Sequence, residues 1–518
     1  MVLSNRRRPL GTRRRTGRSS MAAGIGIGHG LAMAVSALCL ILAGPEPASA
    51  DNGVGKWSVL GDWPFIPIHA ILMANGSLLT YGSNTAGRAT GRFSYDIWDW
   101  RDGIRGAHVT LPNTTVTDIF CSAQILLPGS EAVFIAGGDN WDGSKVTNVG
   151  NNDTNVLDPA TNRLTPGRDM FRPRWYATMT TLPNGEIYIQ GGKGGADRAE
   201  VRQVDGTHRL LAAMDTSRID YYYPRNWVAP NGKVFGYTKF QMYEVDPAGA
   251  GRLTNLASLP ADGPAGIGSS EVMFAPGRIL RMGGSVQPAN VAVNPARDAA
   301  VVIDINGARP VVTRAASMPA RLDWHNATVI PDGRVVVTGG SGMRNLMTGA
   351  NYRALIWDPA SGSWSVGAAT GSGKARLYHS TAVLLPDGSV FVGGGGAYGP
   401  QTNRNAEIYY PPNLLSPNGA FAPRPRIVRA PERLRHGIEA DVTVDNAAAI
   451  GRVTLIKTGS VTHSFNMEQR FIELGYRVVG NTLKIRPPAS RNLATPGVYL
   501  LFVLNRSGVP SIAAFVSM

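Results

Sequence analysis

YHSTAVLLPDGSVFVGGGG, residues 378–396, reads as a single β-hairpin: an apolar strand to Leu385, a Pro-Asp-Gly turn, a second apolar strand to Val392, then a run of glycines. The same order recurs six more times upstream, as HAILMANGSLLTYG, FCSAQILLPGSEAVFIAGG, WYATMTTLPNGEIYIQGG, YPRNWVAPNGKVFGY, SEVMFAPGRILRMGG and WHNATVIPDGRVVVTGG. The turn glycines are Gly76, Gly129, Gly185, Gly232, Gly277, Gly333 and Gly388, at spacings of 53, 56, 47, 45, 56 and 55 residues.

A period near 50 residues, with a double glycine at one fixed point, predicts an all-β fold: a seven-bladed kelch-type β-propeller over residues 51–425. A β-sandwich array would not repeat the double glycine. Outer strands such as LIWDPASGSWSV complete each blade. The spacing stops after the proline-rich FAPRPRIVRAPERL. Residues 426–518 have their own alternating strands, in VTLIKTGSVTHSFNMEQRFIEL and GVYLLFVLNRSGVPSIAAFV, and predict a small immunoglobulin-like β-sandwich.

Residues 1–50 read as an export leader rather than as part of the fold. Seven arginines (Arg6, Arg7, Arg8, Arg13, Arg14, Arg15, Arg18) precede an apolar run from about Met21 to Ala43, and Ala48-Ser49-Ala50 supplies a small-x-small cleavage pattern. The alternative is an uncleaved membrane anchor, against which the glycines and His29 of the run count. The paired arginines also permit twin-arginine export. The expected product is secreted, periplasmic or attached to the cell envelope, monomeric, and without stable membrane insertion. Without the leader, the formal charge of +15 falls to +9 and no Lys/Arg block remains, which excludes a nucleic-acid-binding class. With 43% hydrophobic and 17% charged residues, the chain is globular rather than disordered.

Of the two cysteines, Cys39 falls in the leader and Cys121 has no disulfide partner. Alone, Cys121 reads as a buried, inert thiol. Aligning the repeats on their turns adds information. Tyr176 lies eight residues before Asn184, Tyr378 and His379 nine and eight before Asp387, Trp324 and His325 eight and seven before Asp332, and Cys121 eight before Gly129. Phenol, imidazole, indole and thiol thus occupy equivalent positions, which should meet at one mouth of the ring. This mixture favours copper over zinc, although a Tyr-His pair is commonly structural and a lone His463 on a hairpin indicates nothing by itself.

At RLYHSTAVLLPDGSVFVGGGG, TGSVTHSFNMEQRFIEL and TPGVYLLFVLNRSGVPS, the sequence resembles the galactose oxidase and glyoxal oxidase family of copper radical oxidases, over nearly all of the chain beyond the leader. The resemblance implies one copper per chain, with Tyr176, Tyr378, His379 and His463 as its ligands. It implies a thioether joining Cys121 to Tyr176, made by the protein's own copper and oxygen chemistry. It further implies oxidation of a small alcohol, aldehyde or carbohydrate substrate, with Tyr378 as general base, the Cys121–Tyr176 radical as hydrogen-atom acceptor, and O2 reduced to H2O2.

The sequence departs from that pattern in IQGGKGGADR, where Gly194 stands at the place of the tryptophan that stacks on the thioether in galactose-oxidising members. Trp324, whose repeat offset aims it at the same mouth, is expected to shield the radical instead. The alternative is a purely structural Trp324, with Trp175 or Trp227 as the stacking ring. The missing tryptophan, and the absence of a sugar-binding domain ahead of the propeller, lean toward small aldehydes, α-hydroxycarbonyls or a glycan end. The alternative from another class is a non-catalytic glycan-binding or adhesion protein on the same fold.

Overall fold

In the hairpin of residues 378–396, the Asp387 carboxylate accepts the Ser389 amide at 3.0 Å and the Leu385 carbonyl accepts the Gly388 amide at 2.9 Å. These short-range bonds close the turn that the sequence announces. Ser380–Leu384 and Val390–Gly394 pair antiparallel on either side, and Asn405–Tyr410 adds a third strand. The fourth comes from the other end of the chain: Lys56–Trp57 pairs with Tyr410 and Tyr409. The computed structural model describes residues 53–238, 241–286 and 295–518; the expected leader lies outside the described residues.

Four more sheets repeat this meander. They run from Ala123–Leu126 to Arg163–Pro166, from Trp175–Thr181 to His208–Leu210, from Arg225–Val228 to Arg252–Ser258, and from Asp323–Val329 to Trp364–Ala369. Inner strands such as Trp175–Thr181, Asp323–Val329 and Ser380–Leu384 are buried at every residue, whereas the outer Arg252–Ser258 and Val311–Ala315 are largely exposed. Burial on both faces explains why the inner strands read as continuous apolar runs rather than as alternation.

Seven separate blades are expected from the repeats, but among the described residues five of these meanders stand apart as sheets. The meanders His69–Leu72 to His108–Pro112 and Ser270–Ala275 to Val311–Ala315 belong to one 16-stranded sheet. The tail domain joins them: Ser460–Thr462 pairs antiparallel with His69–Leu72, and Phe465–Val479 pairs in parallel with Ser270–Ala275. Inner strand edges left open toward the centre are filled by this hairpin.

The double glycines act between neighbouring units. A Cβ added at Gly137 would lie 2.1 Å from the Arg174 carbonyl oxygen, and one at Gly339 would lie 2.2 Å from that of Arg376. Each meander therefore sits directly on the backbone leading into the next one, and only glycine permits that approach. The molecule is a β-propeller followed by an all-β C-terminal domain. That domain has its own core of Val442, Val453, Leu455, Ile472, Leu483, Tyr499 and Leu501. Its two sheets share the long strand Phe465–Val479, which pairs with Ile450–Lys457 in one and Thr482–Arg486 in the other. Among the described residues no helix is long and apolar enough to cross a membrane.

Candidate metal centre

The residues eight positions before the turns share a backbone conformation as well as an offset. Cys121, Tyr176, Trp324 and His379 have φ of 55°, 77°, 60° and 68°. For a residue with a Cβ this left-handed geometry costs about 1–2 kcal/mol, so the surroundings must impose it. Successive units are also stitched together here: the Cys121 carbonyl accepts the Tyr176 amide at 2.9 Å, and the Tyr176 carbonyl accepts the Tyr223 amide at 2.8 Å. The twist at the start of each inner strand, at its second residue for Tyr176 and Trp324 and just ahead of it for Cys121 and His379, accompanies their meeting at a common mouth.

His463 arrives from the tail domain. It lies between Ser460–Thr462 and Phe465–Val479, at the tip of the hairpin that runs along the inner strands. Buried polar bonds hold that hairpin: Ser460 Oγ donates to the Gln124 carbonyl at 2.6 Å, Ser270 Oγ to the Ser464 carbonyl at 2.9 Å, and Gln469 bonds both backbone groups of Val329.

The hydrogen bonds assign both histidine tautomers. His379 Nδ1 lies 2.7 Å from the Gly396 carbonyl, which can only accept, so Nδ1 carries the hydrogen. Its Nε2 is buried without a hydrogen-bond partner among the described residues. Thr462 Oγ1 donates to the Ile68 carbonyl at 3.0 Å and therefore accepts from His463 Nδ1 at 2.6 Å. The remaining His463 Nε2 lone pair faces Cys121 Sγ at 3.5 Å. Ligand atoms of Cys121, His379 and His463 lie within 4.8 Å of one another. The Tyr176 and Tyr378 hydroxyls are 3.4 Å apart.

Burial sets the electrostatics. It holds the His379 imidazole down to about 3 and that of His463 well below its usual value, so both are neutral with a lone pair free. Burial raises the Tyr176, Tyr378 and Cys121 protons well above their ordinary range, with further repulsion of the two phenols by Cys121. Two unprotonated imidazole nitrogens and two phenol oxygens, beside a thiol, form a donor set that fits a copper ion.

The sequence-predicted residues Cys121, Tyr176, Tyr378, His379 and His463 are thus brought together. Trp324 reaches the same mouth, but the role expected of it does not match its contacts. Its ring stands edge-on to both Tyr378 at 4.6 Å and Tyr222 at 6.3 Å. The rings lying on Tyr176 are Trp175 at 4.2 Å and 31°, and Tyr222 at 4.3 Å and 33°. Tyr222 also donates to the Tyr378 hydroxyl at 3.0 Å. Sequence reasoning missed Tyr222. The signal was present, because Tyr223 lies eight residues before Asn231, at the same offset as the others. Beside these rings opens a cavity of about 230 Å³, lined in part by Asp220, Tyr222, Thr238, Ile267, Asp323 and Trp324.

Known proteins resemble both parts of the chain. The family described as Glyoxal oxidase N-terminus matches residues 106–416, and the Galactose oxidase-like, Early set domain matches residues 424–518. A galactose oxidase of Gibberella zeae is 26% identical over 514 residues, spanning 91% of this chain and 71% of that protein. The aldehyde oxidase GLOX1 of Arabidopsis thaliana is 27% identical over 398 residues, spanning 67% of this chain and 63% of its own. Among solved structures, a fungal alcohol oxidase of the AA5 family in complex with copper superposes with a TM-score of 0.79 at 25% identity, covering 90% of this chain and 99% of that one.

Proposed function

The chain belongs to the glyoxal oxidase family, and from that premise we propose that it is a copper-dependent oxidase that converts a primary alcohol or aldehyde by a two-electron oxidation, with O2 reduced to H2O2. In this reading Tyr176, Tyr378, His379 and His463 hold one copper, and Cys121 is joined to Tyr176 through a thioether. When bound, copper supplies a Lewis acid for the substrate hydroxyl and an acceptor for one electron.

The protein's own groups do the rest. Burial keeps Tyr378 a neutral phenol in the protein alone; as a phenolate, with its proton displaced by bound copper, it would take the substrate's hydroxyl proton as general base. The crosslinked Tyr176, in its oxidised form, takes a hydrogen atom from the adjacent carbon, and the stacked rings of Trp175 and Tyr222 shield it. The substrate loses two hydrogens in total, and dioxygen gains them as peroxide. A cavity of about 230 Å³ suits a small aldehyde, an α-hydroxycarbonyl or one terminal sugar unit.

The observation that carries this reading is the convergence of two buried, unprotonated imidazole nitrogens, from different domains, on the Tyr176–Tyr378 pair. For the whole chain, residues 1–50 are an export leader to the envelope or beyond, residues 51–425 close as seven blades, and residues 426–518 deliver His463. Metal analysis together with peroxide release on a panel of alcohols, aldehydes and oligosaccharides tests the reading. One copper per chain and peroxide from at least one small aldehyde or alcohol are expected. Stoichiometric copper with no peroxide from any of them would favour a carbohydrate-binding role instead.

A further inference from the structure

Cys121 sits in a left-handed backbone conformation, φ 55°, that a cysteine does not adopt unaided. Part of what holds it there is a histidine outside the proposed ligand set. The Cys121 amide donates to His69 Nε2 at 3.1 Å, a bond that spans 52 residues of sequence. His69 is fully buried, and its ring stacks on Tyr81 at 4.4 Å with only 5° between the planes.

Its tautomer is assigned by its neighbours. Nε2 accepts the Cys121 amide, so Nδ1 carries the hydrogen and donates to Gln124 Oε1 at 2.9 Å. Gln124 cannot flip, because its Nε2 donates to the Val461 carbonyl at 3.1 Å while its Oε1 also accepts from Tyr81 at 3.1 Å. Val461 belongs to the hairpin that carries His463. A single path of buried hydrogen bonds therefore runs from the docked tail hairpin through Gln124 and His69 to the backbone of Cys121.

We propose that His69 is a positioning residue for crosslink formation: by accepting the Cys121 amide it holds the cysteine in the left-handed turn that aims its thiol at the Tyr176 ring. The inference rests on the copper-oxidase reading given above. In the step concerned, the Cys121 S–H and one Tyr176 ring C–H bond break and one S–C bond forms. The two electrons and two protons released reduce dioxygen to hydrogen peroxide at the copper-loaded site. His69 donates nothing to this balance; it fixes where the sulfur stands. The path through Gln124 further implies that the thiol is correctly placed only once the tail hairpin is docked.

The test uses the full chain produced without copper, then given Cu(II) and air. Intact mass follows the loss of two hydrogen atoms, and alkylation follows the Cys121 thiol. His69→Phe keeps the ring on Tyr81 but removes the acceptor, whereas His69→Gln returns an acceptor near the place of Nε2. His69→Phe is expected to bind copper as the wild type does but to crosslink at least about tenfold more slowly, and His69→Gln is expected to recover most of that rate. Crosslinking of His69→Phe at the wild-type rate, or no recovery in His69→Gln, overturns the proposal. If His69→Phe does not fold, Gln124→Leu serves: it leaves His69 in place but frees its tautomer. A wild-type rate in that variant overturns the proposal equally. A copper-loaded wild type that keeps an alkylatable Cys121 defeats the copper-oxidase reading itself, and this inference with it.

Discussion

At the scale of single residues, the site depends on lone pairs that burial keeps free. His379→Ala or His463→Ala removes one of two imidazole nitrogens that burial keeps unprotonated. Either variant is expected to lose stoichiometric copper while its far-UV circular dichroism stays that of the wild type. Full copper occupancy in both, by metal analysis, would remove the ligand assignment. The shielding rings give a second expectation. Tyr222→Leu takes away one ring stacked on Tyr176, so the radical absorption of the oxidised protein should decay several-fold faster at unchanged copper content. Trp324→Phe should change that decay little, since Trp324 packs on Tyr378 and Tyr222 rather than on Tyr176. The reverse order of the two variants would return the shielding role to Trp324. Cys121→Ser should keep copper but never lose the two hydrogens that mark the thioether, and it should lose most of its activity. A mass decrease in that variant would mean that the modification lies elsewhere.

At the scale of elements, the tail hairpin is the piece on which the site depends. Gln469 accepts the Val329 amide at 2.9 Å and donates to the Val329 carbonyl at 3.1 Å, both in buried surroundings. Gln469→Leu leaves two buried backbone groups unpaired, at about 1–3 kcal/mol each. The variant is expected to unfold at lower denaturant and, because His463 is carried six residues away on the same hairpin, to bind copper more weakly. Unchanged copper affinity at reduced stability would show that His463 is held by the tip alone. The hairpin also explains the blade count. Its residues read as ordinary alternating strands of a sandwich, and nothing local in VTLIKTGSVTHSFNMEQRFIEL says that they pair with His69–Leu72 and Ser270–Ala275.

At the scale of the whole molecule, four fully buried imidazoles tie stability to pH. Burial holds His69 and His379 down to about 3, His325 to about 4 and His463 well below its usual value. In the unfolded chain they take up protons near pH 6.5, so below that pH the unfolded state binds protons that the folded state does not. Their contribution is therefore fully present above pH 6.5 and is lost as pH falls toward 3, while the Asp139 carboxyl, raised to about 6 by burial, acts in the opposite direction. Between pH 6.5 and 5 each group contributes a loss on the order of 1.5 kcal/mol. The copper-free protein should show a markedly lower urea midpoint at pH 5 than at pH 7. Equal midpoints, together with imidazole NMR signals that titrate near pH 6.5 in the folded protein, would mean that these histidines are not held neutral by burial.

The seven hairpins, their period and the inward-turning positions Cys121, Tyr176, Trp324 and His379 were readable from sequence alone, because turn chemistry and strand patterning act over a few residues. The resemblance to known copper oxidases added His463, which no local pattern singles out. What only the tertiary structure decided were the meetings of distant residues. Tyr176 and Tyr378 approach across 202 residues and Cys121 and His463 across 342. Which ring lies on Tyr176, and which histidine holds the Cys121 amide, follow from how the units pack around one mouth. Packing of that kind is set by close contact between whole strands, and it leaves no periodic trace in the chain.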